Sequence, residues 1–178
     1  MAVQVLHWLT AGDHRLMRRV NCWKPPRWMR LWMVAATRGG DGWLWYAMGM
    51  VIALTGGHER FRALGAALVA VSVGIALQLA LKRACGRKRP CALAPHCWTK
   101  LLPPDQFSFP SGHTITAFAV ALSLGMFYTE LLPGLLFCAA SVALSRIMLG
   151  MHFLSDVLAG ALIGTALGYA AVFFTLML

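Results

Sequence analysis

Five stretches of this chain run for fifteen residues or more without a charged side chain: 42–57, 63–81, 114–129, 131–145 and 157–178. A helix rises 1.5 Å per residue, so crossing a hydrocarbon core of about 30 Å takes roughly 20 apolar residues. Residues 63–81 and 157–178 meet that length outright. The other three runs reach it once their polar ends extend into the headgroup region. The pattern predicts an all-α fold, a polytopic membrane bundle of about five transmembrane helices. Composition agrees, with 59% hydrophobic and 12% charged residues, where a soluble domain is nearer half apolar and a quarter charged. Disorder, coiled coil, collagen and a water-soluble enzyme are all disfavoured. At 178 residues a single domain is expected.

The connections differ in kind. Glu130 with Pro133-Gly134, and Gly56-Gly57-His58-Glu59-Arg60, read as tight turns between antiparallel helices. Residues 82–110 instead form a long polar connection rich in Pro, Cys and basic side chains, a length usually associated with function. Residues 1–40 read as an interfacial amphipathic segment preceding the bundle at 41–178. Leu16, Met17, Val20 and Trp23 share one helix face, with Arg15, Arg18 and Arg19 elsewhere. After Pro25-Pro26, Arg27, Arg30 and Arg38 lie opposite Leu31, Trp32 and Val34. No secretory signal pattern opens the chain. Gly160, Gly164 and Gly168 fall on one face of the last helix and, with Gly65 and Gly74, suit close helix contact. The five cysteines match no zinc or redox spacing: Cys85, Cys91, His96 and Cys97 are irregularly placed. A Cys91–Cys97 disulfide would require an oxidising compartment.

The net charge is +10. Because the basic residues lie between apolar runs, they point to anionic lipid headgroups or a phosphorylated substrate, and no nucleic acid is expected. Alternating the spans across a bilayer brings three polar clusters to one side: 82–90, 110–113 and 145–156. Ionisable groups at membrane depth are costly and mark function. In the first cluster, Lys82 and Arg89 suit phosphate oxygens, while Arg83, Arg87 and Lys88 read as a headgroup-binding patch. In the second, Pro110-Ser111-Gly112-His113 opens a helix whose free N–H groups favour an anion. Gly112 permits close approach there, and His113 can carry a proton. In the third, Ser145-Arg146 precedes His152 and Asp156. These last two stand four apart on one helical face, where a carboxylate can fix the imidazole tautomer.

Taken together, Lys82 with six residues to Arg89-Pro90, then Pro110-Ser111-Gly112-His113, then Ser145-Arg146 with five residues to His152 and three to Asp156 resemble a tripartite signature. It is that of the type 2 phosphatidic acid phosphatase superfamily, the lipid phosphate phosphatases related to vanadium haloperoxidases. The resemblance covers residues 82–156. It implies hydrolysis of a phosphate monoester or diphosphate on a membrane lipid: phosphatidic acid, phosphatidylglycerol phosphate or a polyprenyl (di)phosphate such as undecaprenyl diphosphate. It also implies that His152 is a nucleophile forming a phosphohistidine, that Asp156 orients it, and that His113 is the general acid. Lys82, Arg89, Ser111, Gly112 and Arg146 would hold the phosphate. No cofactor is implied. The six acids, Asp13, Asp41, Glu59, Asp105, Glu130 and Asp156, read as too widely scattered to hold a metal. A non-catalytic lipid-phosphate binding or transport protein is the alternative, although binding alone would not need His152 and Asp156 at helical spacing. The oligomeric state is left open.

Orientation sets two arguments against each other. Of the 16 Lys and Arg residues, only Arg60 and Arg62 fall on the side opposite the clusters. The positive-inside rule then places the clusters in the cytoplasm. The resemblance points outward, to the extracytoplasmic face of a bacterial cytoplasmic membrane.

Overall fold

The computed structural model describes residues 2–93 and 105–177. Eight helices follow one another: α1 (Ala2–Cys22), α2 (Arg27–Arg38), α3 (Leu44–Thr55), α4 (Arg60–Cys85), a single turn α5 (Pro90–Leu93), α6 (Gly112–Phe127), α7 (Leu132–Met148) and α8 (Leu154–Met177). No strand occurs among the described residues. Each of the five apolar runs coincides with a helix.

Their lengths differ from the simple expectation. Among the described residues, only the helical stretch Gly57–Cys85 and α8 are long and apolar enough to span by themselves. α6 and α7 have 16 and 17 residues. α3 has 12, about 18 Å of rise, and is the second half of a bent helix. A π-helical turn, Gly39–Trp43, joins α2 to α3, and its bend is made by Gly42 at φ 128°. A side chain there would be strained and would also strike the Tyr46 ring.

Along α4 the small residues face the interior and the large ones face out. α4 turns Ala63, Ala66, Ala67, Ala70 and Gly74 inward while Phe61, Leu68, Val69 and Val73 face out. This inverted arrangement suits a lipid solvent, in which close helix approach replaces the hydrophobic effect as the source of cohesion. α6 is central, packed by α4, α7 and α8. The glycine face of α8 does what its spacing predicts. A Cβ at Gly160, Gly164 or Gly168 would come within 2.8, 2.4 and 2.8 Å of the carbonyl oxygens of Ser111, Ile115 and Ala119. Gly74 likewise abuts Ile115, whereas Gly65 faces open space and makes no such contact.

α1 and α2 are attached to the bundle. Leu16, Met17 and Val20 are half-buried while Arg15, Arg18 and Arg19 are exposed, as their periodicity requires; Trp23 and Leu31 are exposed with the arginines. Met33 of α2 is fully buried against Met148, Leu149 and Met151, and Trp32 stacks on Phe137 of α7 at 6.0 Å.

Candidate active site

A cavity of about 580 Å³ opens between α3, α4 and the start of α6. Its polar end carries Lys82, Arg89, Asp105, Gly112, His113 and His152. Its apolar end is walled by Trp45 and Tyr46 of α3 and by Leu64, Leu68, Val71 and Ile75 of α4.

His152 is placed by the turn that links α7 to α8. The Met151 and His152 N–H groups both donate to the Arg146 carbonyl, at 3.0 and 3.1 Å. Gly150, at φ 67°, reverses the chain between them and accepts the Cys91 N–H at 3.1 Å, which ties α5 to the same turn. The imidazole is buried, and its Nε2 lies 2.9 Å from Arg89 Nη1. Guanidinium can only donate, so Nε2 is the acceptor and the ring hydrogen sits on Nδ1. Nδ1 in turn faces Asp156 Oδ2 at 3.7 Å, an ion-pair contact longer than a hydrogen bond. Complete burial, with the Arg146 and Arg89 charges and against the pull of Asp156, lowers the His152 pKa from 6.5 to about 3. The Nε2 lone pair is therefore available at neutral pH. Nitrogen NMR on labelled histidine is expected to show a neutral Nδ1–H ring that stays unprotonated as pH falls through 6.5. For stability the sign is the same: the unfolded chain takes up this proton first, so folding weakens as pH falls from 6.5 toward 3.

Asp156 is completely buried and hydrogen-bonded on both oxygens. Its Oδ2 accepts the Phe153 N–H at 2.9 Å and its Oδ1 accepts Arg87 Nη1 at 2.7 Å. The same guanidinium lies 4.1 Å over the Phe153 ring and donates from Nη2 to Asp13 Oδ2 at 2.7 Å. Asp13, on α1, also accepts the Ser155 N–H at 3.1 Å and the Ser155 hydroxyl. Arg87 is thus no headgroup-binding side chain. Two carboxylates and an aromatic face hold it half-buried behind His152.

The cations meant for phosphate are occupied by a carboxylate. Lys82 Nζ donates to Asp105 Oδ2 at 2.6 Å, and Arg89 Nη2 donates to Asp105 Oδ1 at 2.8 Å. Burial alone would raise the Asp105 pKa, but the hydrogen bonds and charges of Lys82 and Arg89 outweigh it and hold it below 3.8. A phosphate reaching both cations would compete with this carboxylate for their N–H groups. Asp105→Asn is expected to raise affinity for inorganic phosphate severalfold and to lower the melting temperature of the empty protein, saturating phosphate narrowing that gap. Calorimetric binding and thermal melts in detergent check both.

Arg146 is buried, donates from Nη1 to Thr37 on α2, and leaves Nε and Nη2 without a hydrogen-bond partner among the described residues. Buried guanidinium donors seldom stay unpaired, and an oxyanion would satisfy both. At the α6 N-terminus, a Cβ on Gly112 would lie 1.7 Å from the Gln78 amide oxygen, so any side chain there would have to turn Gln78 aside. Ser111 does not reach the cavity wall. Its N–H donates to the Asp156 carbonyl at 3.1 Å and its hydroxyl accepts from Thr114 at 2.9 Å, fastening α6 to α8.

The cavity therefore collects Lys82, Arg89, Gly112, His113 and His152, with Asp156, Arg146 and Ser111 behind it. Asp13, Asp41, Asp105 and Asp156, far apart in sequence, lie near this face, each paired with a cation or an imidazole. Among the described residues no group of three or more metal-binding side chains forms. Asp13, Asp41 and Asp105 were given no role in the site from sequence, and Arg87 only a headgroup-binding one, although ionisable residues beside apolar runs are the signal that points to such roles. His96 and Cys97, and with them the Cys91–Cys97 pairing, lie outside the described residues.

The model of the PAP2 superfamily matches residues 63–177. Decaprenylphosphoryl-5-phosphoribose phosphatase of Mycobacterium tuberculosis is 36% identical over 145 residues, 76% of this chain and 77% of that protein. Lipid A 1-phosphatase of Rhizobium etli is 33% identical over 100 residues, 51% of this chain and 43% of the other. The crystal structure of Aquifex aeolicus LpxE superposes with a TM-score of 0.75 at 26% identity, covering 89% of this chain and 93% of that one. In fold alone, the first transmembrane PAP2-type phosphatidylglycerolphosphate phosphatase of Bacillus subtilis is similar, with a TM-score of 0.73 at 23% identity, covering 95% and 87%.

Proposed function

Because the chain belongs to the PAP2 superfamily and is a membrane-bound phosphatase, we propose that it hydrolyses a lipid phosphate monoester or diphosphate through a phosphohistidine on His152. The observation that carries this is the His152 ring: Nε2 is an acceptor at the polar end of a cavity whose other end is apolar. In the first step the Nε2 lone pair forms a bond to phosphorus. The bond from phosphorus to the lipid oxygen breaks, and that oxygen takes its electron pair together with a proton from His113. In the second step water attacks phosphorus and gives a proton to His113, and the N–P pair returns to His152. The net change is addition of water across the ester. Lys82, Arg89, Arg146 and the Gly112 N–H carry the charge that builds on the phosphoryl oxygens, once Arg89 has exchanged the imidazole for phosphate. The apolar wall of α3 and α4 suits the lipid chain.

Purified protein given equal surface concentrations of phosphatidic acid, phosphatidylglycerol phosphate, undecaprenyl diphosphate and a polyprenyl-phosphoryl phosphoribose is expected to release phosphate from at least one, leaving acid-labile phosphate on His152. Binding of all four without release would instead identify a carrier.

The arginines of α1 and α2, with Trp23 and Trp28, suit an interfacial position against anionic headgroups. We place the chain in a bacterial cytoplasmic membrane with its site facing out. A variant keeping only the exposed Cys85, at the active-site end of α4, tests this on intact cells. Reaction with a membrane-impermeant thiol reagent before lysis supports the outward site, and reaction only after lysis reverses it.

A further inference from the structure

Upstream of the matched segment 63–177, the bend between α2 and α3 brings a second carboxylate to the reaction. His113 Nε2 lies 2.6 Å from Asp41 Oδ1, and both side chains line the cavity. The tripeptide Gly40-Asp41-Gly42 has the form such a contact needs. A Cβ on Gly40 would stand 2.8 Å from Val142 and 3.3 Å from the His113 ring, so glycine there lets this backbone close onto α6 and α7. Gly42, at φ 128°, makes the bend that presents Asp41 between them. Three consecutive residues thus serve one hydrogen bond across 72 positions of sequence.

We propose that Asp41 is the positioning residue of the general acid: by holding His113 Nε2 it fixes the ring and leaves Nδ1 to serve the lipid oxygen. The arrangement parallels that of Asp156 behind His152, so each catalytic imidazole has its own carboxylate. This proposal rests on the reading of His113 as acid. A protonated His113 gives its Nδ1 proton to the departing oxygen and keeps its Nε2 hydrogen on Asp41. Water then returns a proton to Nδ1 in the second step. Asp41 neither gains nor loses a proton in the cycle.

Leaving-group dependence tests it. An alkyl phosphate needs a proton on its departing oxygen, whereas p-nitrophenolate departs without one, so a defect confined to the acid spares the aryl ester. In detergent, with dioctanoyl phosphatidic acid and p-nitrophenyl phosphate as substrates, Asp41→Asn is expected to lower kcat/KM for the alkyl ester by about a hundredfold, the usual worth of a placed acid. Single-turnover phosphorylation by the aryl ester is expected to change little, and Asp41→Glu to recover part of the alkyl rate. Equal loss on both substrates in a protein of normal melting temperature, or no loss on either, overturns the proposal. His113→Asn is measured beside it. If that variant also loses both rates equally, His113 is not the acid. If it is selective and Asp41→Asn is not, only the role of Asp41 falls.

Discussion

His152→Ala is expected to abolish phosphate release, by something on the order of a millionfold, the scale on which removing an enzyme's nucleophile acts. The reason lies in what cannot replace it. Among the described residues no cysteine or serine lines the cavity: Cys91, two residues from Arg89, sits on α5 off the wall, and Ser111 lies behind it. Asp105 and His113, which do line it, are engaged by Lys82 with Arg89 and by Asp41. Removing the ring also frees Arg89 Nη1, which keeps the Met151 carbonyl at 2.9 Å as a partner, so the fold survives. Vanadate binding by the variant, measured alongside turnover, separates lost chemistry from lost structure. Near-normal turnover of a verified lipid phosphate would sink the mechanism.

Asp156→Asn is expected to cost about ten-thousandfold in kcat, by analogy with other oriented histidines, and its geometry says why. The carboxylate accepts on both oxygens, from Phe153 N–H and from Arg87, while facing the Nδ1 hydrogen of His152. An amide has one oxygen. Whichever way it turns, its NH₂ meets either a guanidinium or a backbone N–H, donor against donor. The ring loses the anion that favours Nδ1–H and that stabilises the charge developing on the imidazole. KM is expected to move far less than kcat, since Lys82, Arg89 and Arg146 are untouched. A KM rise matching the fall in kcat/KM would instead place Asp156 in binding.

Much of this was legible in the sequence. His113, His152 and Asp156 announce themselves by local spacing, and the glycine face of α8 by its period of four. What escaped was every contact made across the fold. Arg87 lies within a run of five cations, so its neighbours in sequence suggest a surface patch. Its actual neighbours, Asp13 and Asp156, are 74 and 69 residues away. Asp41 and Asp105 are separated from their partners in the same way, by 72 and by 16 to 23 residues. Apolar periodicity reports which face of a helix is turned inward, but not which inward charges meet. The short α3 escaped for a related reason: an uncharged run cannot reveal that one glycine within it bends the chain.

The contact of α6 with α8 has a mechanical consequence. With carbonyl oxygens of one helix pressed against glycines of the other, the two behave as one beam. One end of that beam carries His113 and Asp156, with His152 just before it. Membranes of different thickness tilt spanning helices by different amounts, but a beam tilts whole. The spacing of acid and nucleophile is then independent of the bilayer, while α3, which walls one side of the lipid chain and packs lightly on α4, is left to follow it. Turnover of a small water-soluble phosphate ester is expected to be the same in thin and thick vesicles, with only the lipid substrate sensing the difference.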